Sequence, residues 1–448
     1  MGFTGKKVLV CGMARSGQAA AVLLCALGAK VTAQDKNENI NWVYNPNEKG
    51  MALYLGQNPD KIINEFDLIV ISPGLSIYLP FIEKAKSLGI PVWGESELAF
   101  YLCPCPIIAI TGTNGKTTVT TLVGEIMSRV NPKTIIAGNI GIPLTSLVCE
   151  LTADSLVVAE ISSFQLETSV NFRPQVSTVL NMTEDHLDRH RDMETYIEMK
   201  SRIFINQRHP DIAVLNYDNN ITREMKPSCR VVWFSESNVL PYGVYCRDGS
   251  IYAKLDNQWD EEHIVALDGL SMMTENALAA TALSLCAGAS PVQIAEGLKA
   301  FNSVPHRLEH VASYGGVDYI NDSKATNVDA AVKAIKSINK PIILIGGGYD
   351  KGTDFNPWVE AFEHKVTQLI LIGQTAPQII EICKEKRFTA YRKVVSLQEA
   401  VEVAAEAAAP GQVVLLSPAC ASLDMFKDYE ERGDVFKEHV VKRRQISG

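Results

Sequence analysis

The chain has 448 residues, of which 46% are hydrophobic and 21% charged, and its formal net charge is −9. Its length exceeds what one hydrophobic core usually supports, so we expect about three domains of roughly 100–200 residues each. The negative charge argues against nucleic acid or an anionic membrane as the main partner. We find no signal-peptide core and no run of about 18 apolar residues, so we expect a cytoplasmic protein that does not contact membranes. The ten cysteines lack zinc spacing and are interpreted as reduced thiols without a metal.

The first block, residues 1–94, reads as a strand, a glycine turn, a helix and a second strand that ends at Asp35. The turn GMARSG (12–17) is a variant of the dinucleotide-binding fingerprint, and Asp35 has nearly the spacing of a ribose contact. Alternatively, the glycines only let the helix pack closely on the strand. A third possibility is a nucleotide diphosphate other than NAD, with a second turn, Ser72–Gly74, facing the same crevice.

The second block, residues 95–300, contains the segment GTNGKTT (112–118) after a strand-like CPIIAI. A phosphate-binding loop needs glycines, because backbone N–H groups must point at phosphate oxygens. It also needs a lysine for the β/γ-phosphates and a hydroxyl for Mg²⁺. The strict Walker spacing is not met, since Ile110 stands five residues before Gly115. The position between a predicted strand and a predicted helix still favours a nucleotide-binding loop.

Three polar residues follow later strands of the same block. Glu160 ends the strand SLVVAE, His186 lies in NMTEDHLDRH, and Lys200 lies in YIEMKSRIF. Taken singly, they could be a solvated carboxylate, a structural histidine and a helix-surface lysine. Because ligands of α/β proteins bind at the carboxyl ends of the strands, we expect the three to surround the phosphate loop together.

The third block, residues 301–448, again alternates strands such as VDYIN, PIILIGGG and VVLLSPAC with helices, which predicts a parallel sheet. Thr326, Lys351 and Ser422 come shortly after the ends of these strands, so they could converge on one crevice. Alternatively, the two hydroxyls are helix caps or turn residues and the lysine is solvated. The block boundaries are placed near 94 and 300.

Seven segments in order resemble the Mur ligase family: GTNGKTT, EISSFQLE, NMTEDHLDRH, NALAA, HRLE, NDSKATN and LLSPACASLDMFKDYEERG. The first and fifth are shared with the wider superfamily, which includes folylpolyglutamate synthases, whereas the last two are typical of the D-glutamate-adding branch. The resemblance implies three α/β domains with largely parallel sheets. These are a Rossmann-like UDP-substrate domain (1–94), a central P-loop ATPase domain (95–300) and a Rossmann-like amino-acid-binding domain (301–448).

The resemblance also implies a reaction, in which ATP drives amide formation between D-glutamate and UDP-N-acetylmuramoyl-L-alanine through an acyl phosphate, in peptidoglycan precursor synthesis. It implies two Mg²⁺ sites, a carbamylated lysine and a monomer in the cytoplasm. Three alternatives stay open: a folylpolyglutamate synthase-like amide ligase, an NAD-linked dehydrogenase suggested by the first block, and a nucleotide-binding protein without catalysis.

The family motifs imply a role for each matching residue. Catalytic roles fall to Lys116, His186 and Lys200, the last as a carbamate. The ATP-binding residues are Gly112, Thr113, Asn114, Gly115, Lys116, Thr117, Thr118, Asn276, Arg307 and Asp322. The UDP-substrate residues are Ser16, Asp35, Lys36, Gly74, Asn139, Gln165 and His186. The D-glutamate residues are Lys324, Thr326, Lys351, Ser422, Leu423 and Tyr429. The metal ligands are Thr117, Glu160, His186 and carbamylated Lys200.

Overall fold

The computed structural model describes residues 2–447 apart from 257–259, 269, 271 and 303. The chain forms two compact units, Met1–Phe301 and Asn302–Gly448. Their described strands make three sheets, of five, nine and six strands, each flanked by helices. The predicted α/β class with largely parallel sheets is confirmed. The boundary near 94 stays a prediction, because both of the first two sheets belong to one unit.

The first sheet is fully parallel, with the strand order β3-β2-β1-β4-β5. The order reverses at β1, and ligands of such sheets bind at the carboxyl ends beside this reversal. The strands are β1 (Lys7–Cys11), β2 (Lys30–Asp35), β3 (Ala52–Leu55), β4 (Leu68–Ile71) and β5 (Val92–Gly94). The helices are α1 (Arg15–Ala26), α2 (Pro80–Ser87) and α3 (Glu95–Leu102).

The second sheet has the order β14-β13-β12-β11-β10-β9-β6-β8-β7. Its pairs from β7 to β12 are parallel, and β12, β13 and β14 continue as antiparallel hairpins. Its strands are β6 (Ile107–Thr111), β7 (Thr134–Gly138), β8 (Leu156–Glu160), β9 (Val176–Val179), β10 (Ile212–Asn216), β11 (Arg230–Ser235), β12 (Gly243–Arg247), β13 (Ser250–Lys254) and β14 (Glu262–Ala266). Its helices are α4 (Lys116–Ser128), α5 (Leu144–Leu147), α6 (Ser163–Leu166), α7 (Leu187–His190), α8 (Met193–Ser201), α9 (Asn220–Glu224), α10 (Thr274–Cys286) and α11 (Pro291–Ala300).

The third sheet forms the second unit and has the order β15-β16-β20-β17-β18-β19. Only the edge pair β15–β16 is antiparallel. Its strands are β15 (Glu309–Tyr314), β16 (Val317–Asn321), β17 (Ile342–Gly346), β18 (Val366–Leu371), β19 (Tyr391–Lys393) and β20 (Val413–Leu416). Its helices are α12 (Val328–Ser337), α13 (Asn356–Glu360), α14 (Ala376–Glu385), α15 (Leu397–Ala407) and α16 (Tyr429–Ser447).

The central strands explain why these sheets form. All residues of β4, β6, β8, β9, β17 and β20 are buried, as expected of strands covered by helices on both faces. Within the described residues, no helix is apolar over enough length to span a bilayer. All ten cysteines are free thiols.

Candidate phosphate-binding and substrate sites

The loop between β6 and α4 is built around two glycines with positive φ, 152° at Gly112 and 84° at Gly115. A Cβ on Gly115 would come within 2.5 Å of Asn276 Oδ1, and one on Gly112 within 2.9 Å of Leu180 Cβ. Glycine is therefore required at both positions. The loop leads directly into the N-terminus of α4, where the first-turn amides and the helix dipole favour an anion. The structure thus places Asn276 beside the loop, and its contact with ATP stays a prediction.

Two lysine side chains donate hydrogen bonds to the same carbonyl oxygen of this loop, that of Gly112. Lys116 Nζ donates to Gly112 O at 2.9 Å and to Thr113 O at 2.8 Å, while Lys200 Nζ donates to Gly112 O at 2.8 Å. Lys200 is only 1% exposed, so its interpretation as a helix-surface lysine is wrong. Burial lowers the pKa of Lys200 well below its usual value, and the charge of Lys116 lowers it further.

A buried carboxylate lies at the end of β8 in the same sheet. Glu160 is 2% exposed, and its Oε1 accepts a hydrogen bond from Asn139 Nδ2 at 2.8 Å. Its Oε2, like the Thr118 hydroxyl in the first turn of α4, is buried without a hydrogen-bond partner among the described residues. Glu160 is therefore not a solvated carboxylate. A buried acceptor oxygen without a donor fits a bound cation, because hard divalent ions take oxygen ligands.

The described residues contain no group of three His, Cys, Asp or Glu side chains arranged to hold a metal ion. The predicted ligand set has only two such side chains, Glu160 and His186. Its other members, Thr117 and a carbamylated Lys200, would supply a hydroxyl and a carbamate oxygen. The set is therefore compatible with Mg²⁺ when the Thr117 hydroxyl and the carbamate oxygen of Lys200 complete it.

His186 stands in the loop before α7 with a left-handed backbone, φ 56°, and its side chain is 37% exposed. Its ring centroid lies 4.9 Å from that of Phe164, and Nε2 lies 3.7 Å from Asp185 Oδ2. The negative charges of Asp185 and Glu160 both oppose the fall in the pKa of Lys200. Asp185 is thus a functional candidate that the sequence analysis missed, although it stands next to His186 in NMTEDHLDRH.

The phosphate loop is also held by residues outside the predicted set. Asn181 Oδ1 accepts from the Asn114 N–H at 2.9 Å, and Asn181 Nδ2 donates to Glu275 Oε1 at 2.8 Å. The Thr113 hydroxyl lies 3.3 Å from the hydroxyl of Tyr196. Because buried side-chain networks restrict a loop to one conformation, Asn181 and Glu275 preorganise it.

The predicted UDP-substrate residues of the first sheet surround the glycine turn after β1. A Cβ on Gly17 would collide with Gly12 O, at 1.8 Å, so the helix packs tightly on the turn. Asp35 Oδ2 accepts from Met13 N at 2.7 Å, which shows that this carboxylate shapes the turn. Ser16 is half-buried, while Lys36 and Gly74 are exposed at the same edge.

Of the two predicted residues in the central sheet's loops, Asn139 donates to Glu160, as described above. Gln165 is 5% exposed and closes a capping box with Ser162 at the start of α6. Its side-chain oxygen accepts from Ser162 N at 2.9 Å. Asn139 therefore holds Glu160, which is a predicted metal ligand. Gln165 stabilises its own helix, α6, through the capping box.

In the second unit, the segments that follow β16, β20 and β17 leave neighbouring strands at the same edge. Arg432 Nη2 donates to Ser323 O at 2.8 Å and Nη1 to Cys420 O at 3.0 Å. Tyr349 N donates to Ala421 O at 2.9 Å. The three segments 322–326, 417–422 and 347–351, which carry most of the predicted D-glutamate residues, are therefore joined.

The individual D-glutamate candidates differ in exposure. Lys324 Nζ lies 5.1 Å from the centroid of the Tyr429 ring. Ser422 is 3% exposed, Leu423 is 62% exposed and Lys351 is half-buried. The helix-cap alternative for Thr326 is wrong, because the cap of α12 is Asn327, whose Oδ1 accepts from Ala330 N at 2.9 Å.

Arg432 is the residue of this unit that the sequence analysis missed. It is 1% exposed, and burial lowers its pKa to about 10. It lies in the segment EERG, where nothing distinguishes it from the solvated charges around it. An Arg that donates to several carbonyls at once fixes the segments it joins.

Asp322 is buried where β16 ends. Its Oδ1 accepts from Leu308 N at 3.2 Å and its Oδ2 from the Ser417 hydroxyl at 2.8 Å. Burial raises the pKa of this carboxyl to about 6, against the opposing charge of Arg307. Arg307 Nε is buried without a hydrogen-bond partner among the described residues, so this predicted ATP contact retains donor capacity.

The raised pKa of Asp322 predicts a pH-dependent stability. The folded state binds the proton more tightly than the unfolded state, so the carboxyl's contribution is lost as the pH rises from the usual value, 3.8, to about 6. In Asp322→Asn, the amide keeps the shape and does not ionise. Hydrogen exchange of the β16 and β20 amides should show the wild type losing about 2–3 kcal/mol relative to the variant between pH 4 and 7. Parallel pH profiles for the two proteins would contradict this.

A glycine loop with a lysine between a buried strand and a helix, in a largely parallel α/β sheet, defines a P-loop nucleotide-binding protein. Family models match three parts of the chain: the MurD-like N-terminal domain over residues 6–94, the Mur ligase middle domain over 110–283, and the glutamate ligase domain over 306–420. The chain belongs to the Mur ligase family, which confirms the resemblance seen in the sequence.

Individual relatives agree with this assignment. A UDP-N-acetylmuramoylalanine–D-glutamate ligase from Thermoanaerobacter sp. (strain X514) is 44% identical over 456 residues, covering 99% of this chain and 100% of the relative. Solved structures share the fold. The UDP-N-acetylmuramate-alanine ligase of Thermotoga maritima has a TM-score of 0.60 at 18% identity, covering 99% of this chain and all of that one. The MurF ligase of Thermotoga maritima, in complex with ADP, has a TM-score of 0.57 at 14% identity, and the match covers 98% of this chain and 96% of that one.

Proposed function

We propose that this chain is an ATP-dependent ligase that joins D-glutamate to UDP-N-acetylmuramoyl-L-alanine in peptidoglycan precursor synthesis. The observation that carries the proposal is the full-length similarity to a D-glutamate ligase described above. The phosphate loop, the buried Lys200 and Glu160 Oε2, which has no hydrogen-bond partner in the described part of the chain, support it, because they would supply an anion site and a cation site beside one sheet. The folylpolyglutamate synthase-like reading is disfavoured, since NDSKATN and SPACASLDMF are typical of the D-glutamate-adding branch.

The chemistry requires activation of a carboxylate, which is a poor electrophile. The substrate carboxylate oxygen attacks the γ-phosphorus of ATP, the bond to ADP breaks, and an acyl phosphate forms. The uncharged amine of D-glutamate then attacks the carbonyl carbon, and the tetrahedral intermediate loses phosphate. Both first reactants are anions, so cationic groups must lower their repulsion. Lys116 and the amides of residues 112–118 would serve this role.

Mg²⁺, when bound, would neutralise phosphate charge and polarise a phosphoryl oxygen. Thr117, Glu160, His186 and carbamylated Lys200 would hold it at two positions. The structure supports the modification chemically, because a buried amine of lowered pKa is uncharged for more of the time and so can react with CO₂. The new N–C bond releases a proton and turns a cation beside a metal into an anionic oxygen ligand. The adjacent Lys116 ammonium would stabilise that negative charge.

The remaining predictions from the sequence are retained within this proposal. ATP would also contact Asn276, Arg307 and Asp322, and the UDP substrate would contact the residues around the turn after β1 together with Asn139, Gln165 and His186. We also retain the domain boundaries near 94 and 300, the cytoplasmic location and the monomeric state.

For D-glutamate, whose two carboxylates need fixed donors, we expect Lys351→Ala to raise the KM for D-glutamate by about 10- to 150-fold, because a charge-assisted contact of roughly 1.5–3 kcal/mol is lost. The KM for ATP should change little, and Ser422→Ala should act in the same direction more weakly because its hydroxyl is neutral. Lys340→Ala is the matched control, since this lysine is 54% exposed and pairs with Asp318. If the KM for ATP increases while that for D-glutamate stays, this crevice has been assigned to the wrong ligand.

To identify the acceptor substrate, the purified protein is incubated with ATP, radiolabelled glutamate and one candidate acceptor at a time. Incorporation of D-glutamate into UDP-N-acetylmuramoyl-L-alanine is expected. Incorporation of L-glutamate into a folate would instead establish the alternative amide ligase, and nicotinamide reduction in a parallel assay would point to a dehydrogenase.

A further inference from the structure

We propose that Arg189 is a positioning residue for the nucleotide-sugar substrate, an inference that rests on the proposed function. Its guanidinium joins the loop after β4 of the first sheet to Glu167, the residue that follows α6 beside the central sheet. Arg189 Nη2 donates to Leu75 O at 2.6 Å and to Glu167 Oε2 at 2.6 Å, and Nε donates to Glu167 Oε1 at 3.1 Å. The planar fork of arginine can make this double contact with a carboxylate and still reach a carbonyl, whereas lysine cannot.

The contact is built into the interior. The side chains of Arg189 and Glu167 are 15% and 1% exposed. Burial raises the pKa of Glu167, and the Arg189 hydrogen bonds and charge oppose this rise. His190 completes the group, with Nε2 2.9 Å from Ser163 Oγ and Nδ1 3.6 Å from Glu167 Oε1. Because a buried ion pair tolerates little change of geometry, it holds the joined loops in one arrangement.

The positions of the joined groups give the pair a role beyond stability. Leu75 follows Gly74, Glu167 lies two residues after Gln165, and Arg189 lies three residues after His186. Gly74, Gln165 and His186 are predicted substrate contacts, and they lie in three different segments: the loop after β4, helix α6 and the loop before α7. The Arg189–Glu167 pair therefore fixes the spacing between three segments that one extended ligand must touch together. A second arginine contacts the loop after β4, since Arg191 Cζ lies 4.2 Å from the centroid of the Tyr78 ring.

The test compares Arg189→Lys and Arg189→Ala with the wild type in kinetics and in calorimetric binding of UDP-N-acetylmuramoyl-L-alanine without ATP or D-glutamate. We expect the KM and Kd for this substrate to rise by about 10- to 100-fold in both variants. The KM for ATP should change by less than about threefold, because the hydrogen-bond partners of Arg189 described above, Glu167 and the Leu75 carbonyl, lie outside the phosphate loop. Free guanidinium ion should restore part of the affinity of Arg189→Ala.

Arg173→Gln is the matched control, because it breaks another arginine–carboxylate pair of the same unit, Arg173 Nε to Asp211 Oδ2 at 2.6 Å, outside the substrate loops. It should leave all three KM values unchanged. If Arg189→Ala does not fold, Glu167→Gln tests the same pair and should raise the substrate Kd without changing ATP binding. If the affinities for all substrates fall equally and in step with a lowered Tm, and guanidinium ion restores none of them, Arg189 has a structural role only.

The binding measurement separates this inference from the proposed function. If the wild type binds the nucleotide sugar but does not ligate D-glutamate, and Arg189→Ala weakens that binding, the positioning role stands and the proposed function fails. If the wild type ligates D-glutamate and the variants keep its substrate Kd, the positioning role is wrong and the proposed function stands.

Discussion

Lys116→Ala should abolish turnover in a protein that remains folded. The Lys116 ammonium belongs to the phosphate loop and now donates to the carbonyls of Gly112 and Thr113, from which it can turn to a phosphate. In the variant, the loop no longer supplies a lysine donor to the negative charge that develops on the transferred phosphoryl group. Loss of one preorganised donor typically costs about 10²–10³-fold in kcat, and a charged donor should reach at least that range.

ADP release and ligation in the steady state measure this effect, with circular dichroism as the check of folding. Lys133→Ala is the control, because that lysine forms an exposed pair with Asp154, with side chains 56% and 66% exposed, and such pairs contribute little. Near-normal ligation by folded Lys116→Ala would overturn the assignment of the phosphate loop.

Lys200→Ala should also be inactive, and a small carboxylate such as acetate or formate in the medium should restore part of the activity. The reason is that alanine leaves a buried space in which a carboxylate can supply the oxygen ligand that the carbamate provided. Lys200→Arg should not be rescued, because its larger side chain fills that space and cannot be carbamylated. The measured quantity is kcat as a function of carboxylate concentration.

Lys299→Ala, an exposed lysine of α11, is the control for a helix-surface lysine and should behave as the wild type. Full activity of Lys200→Ala without added carboxylate would show that this lysine takes no part in the reaction. Inactivity without any rescue, in a folded protein, would mean that the amine itself is required.

Motifs at strand ends could be located from the sequence because their chemistry and their position in an α/β unit coincide. The GTNGKTT loop, the end of β8 at Glu160 and the turn after β1 all lie where the alternation of strands and helices placed them. The hairpins β12–β14 were not anticipated, since short strands such as VYCR and SIYAK carry no parallel-sheet signature. The two antiparallel pairs β12–β13 and β13–β14 are therefore the part of the second sheet that the expectation of largely parallel sheets does not describe.

Burial and pairing of individual polar residues could not be read from the sequence. YIEMKSRIF gives no sign that Lys200 is buried beneath the phosphate loop, because local periodicity does not report which polar group a distant loop covers. Asn181, Glu275 and Arg432 were missed for the same reason: the contacts Asn181–Asn114, Glu275–Asn181 and Arg432–Ser323 join residues 67, 94 and 109 positions apart, which only the tertiary fold brings together. Asp185 carried a weak signal, as the acid beside His186.

The decisive measurement for the D-glutamate ligase activity is ADP release with ATP, UDP-N-acetylmuramoyl-L-alanine and D-glutamate together, compared with the omission of each and with L-glutamate in place of D-glutamate. We expect sustained ADP release only with all three substrates, equal to the amount of amide product, and little or none with L-glutamate. Sustained ADP release without the nucleotide sugar, or equal rates with the two glutamate enantiomers, would contradict it.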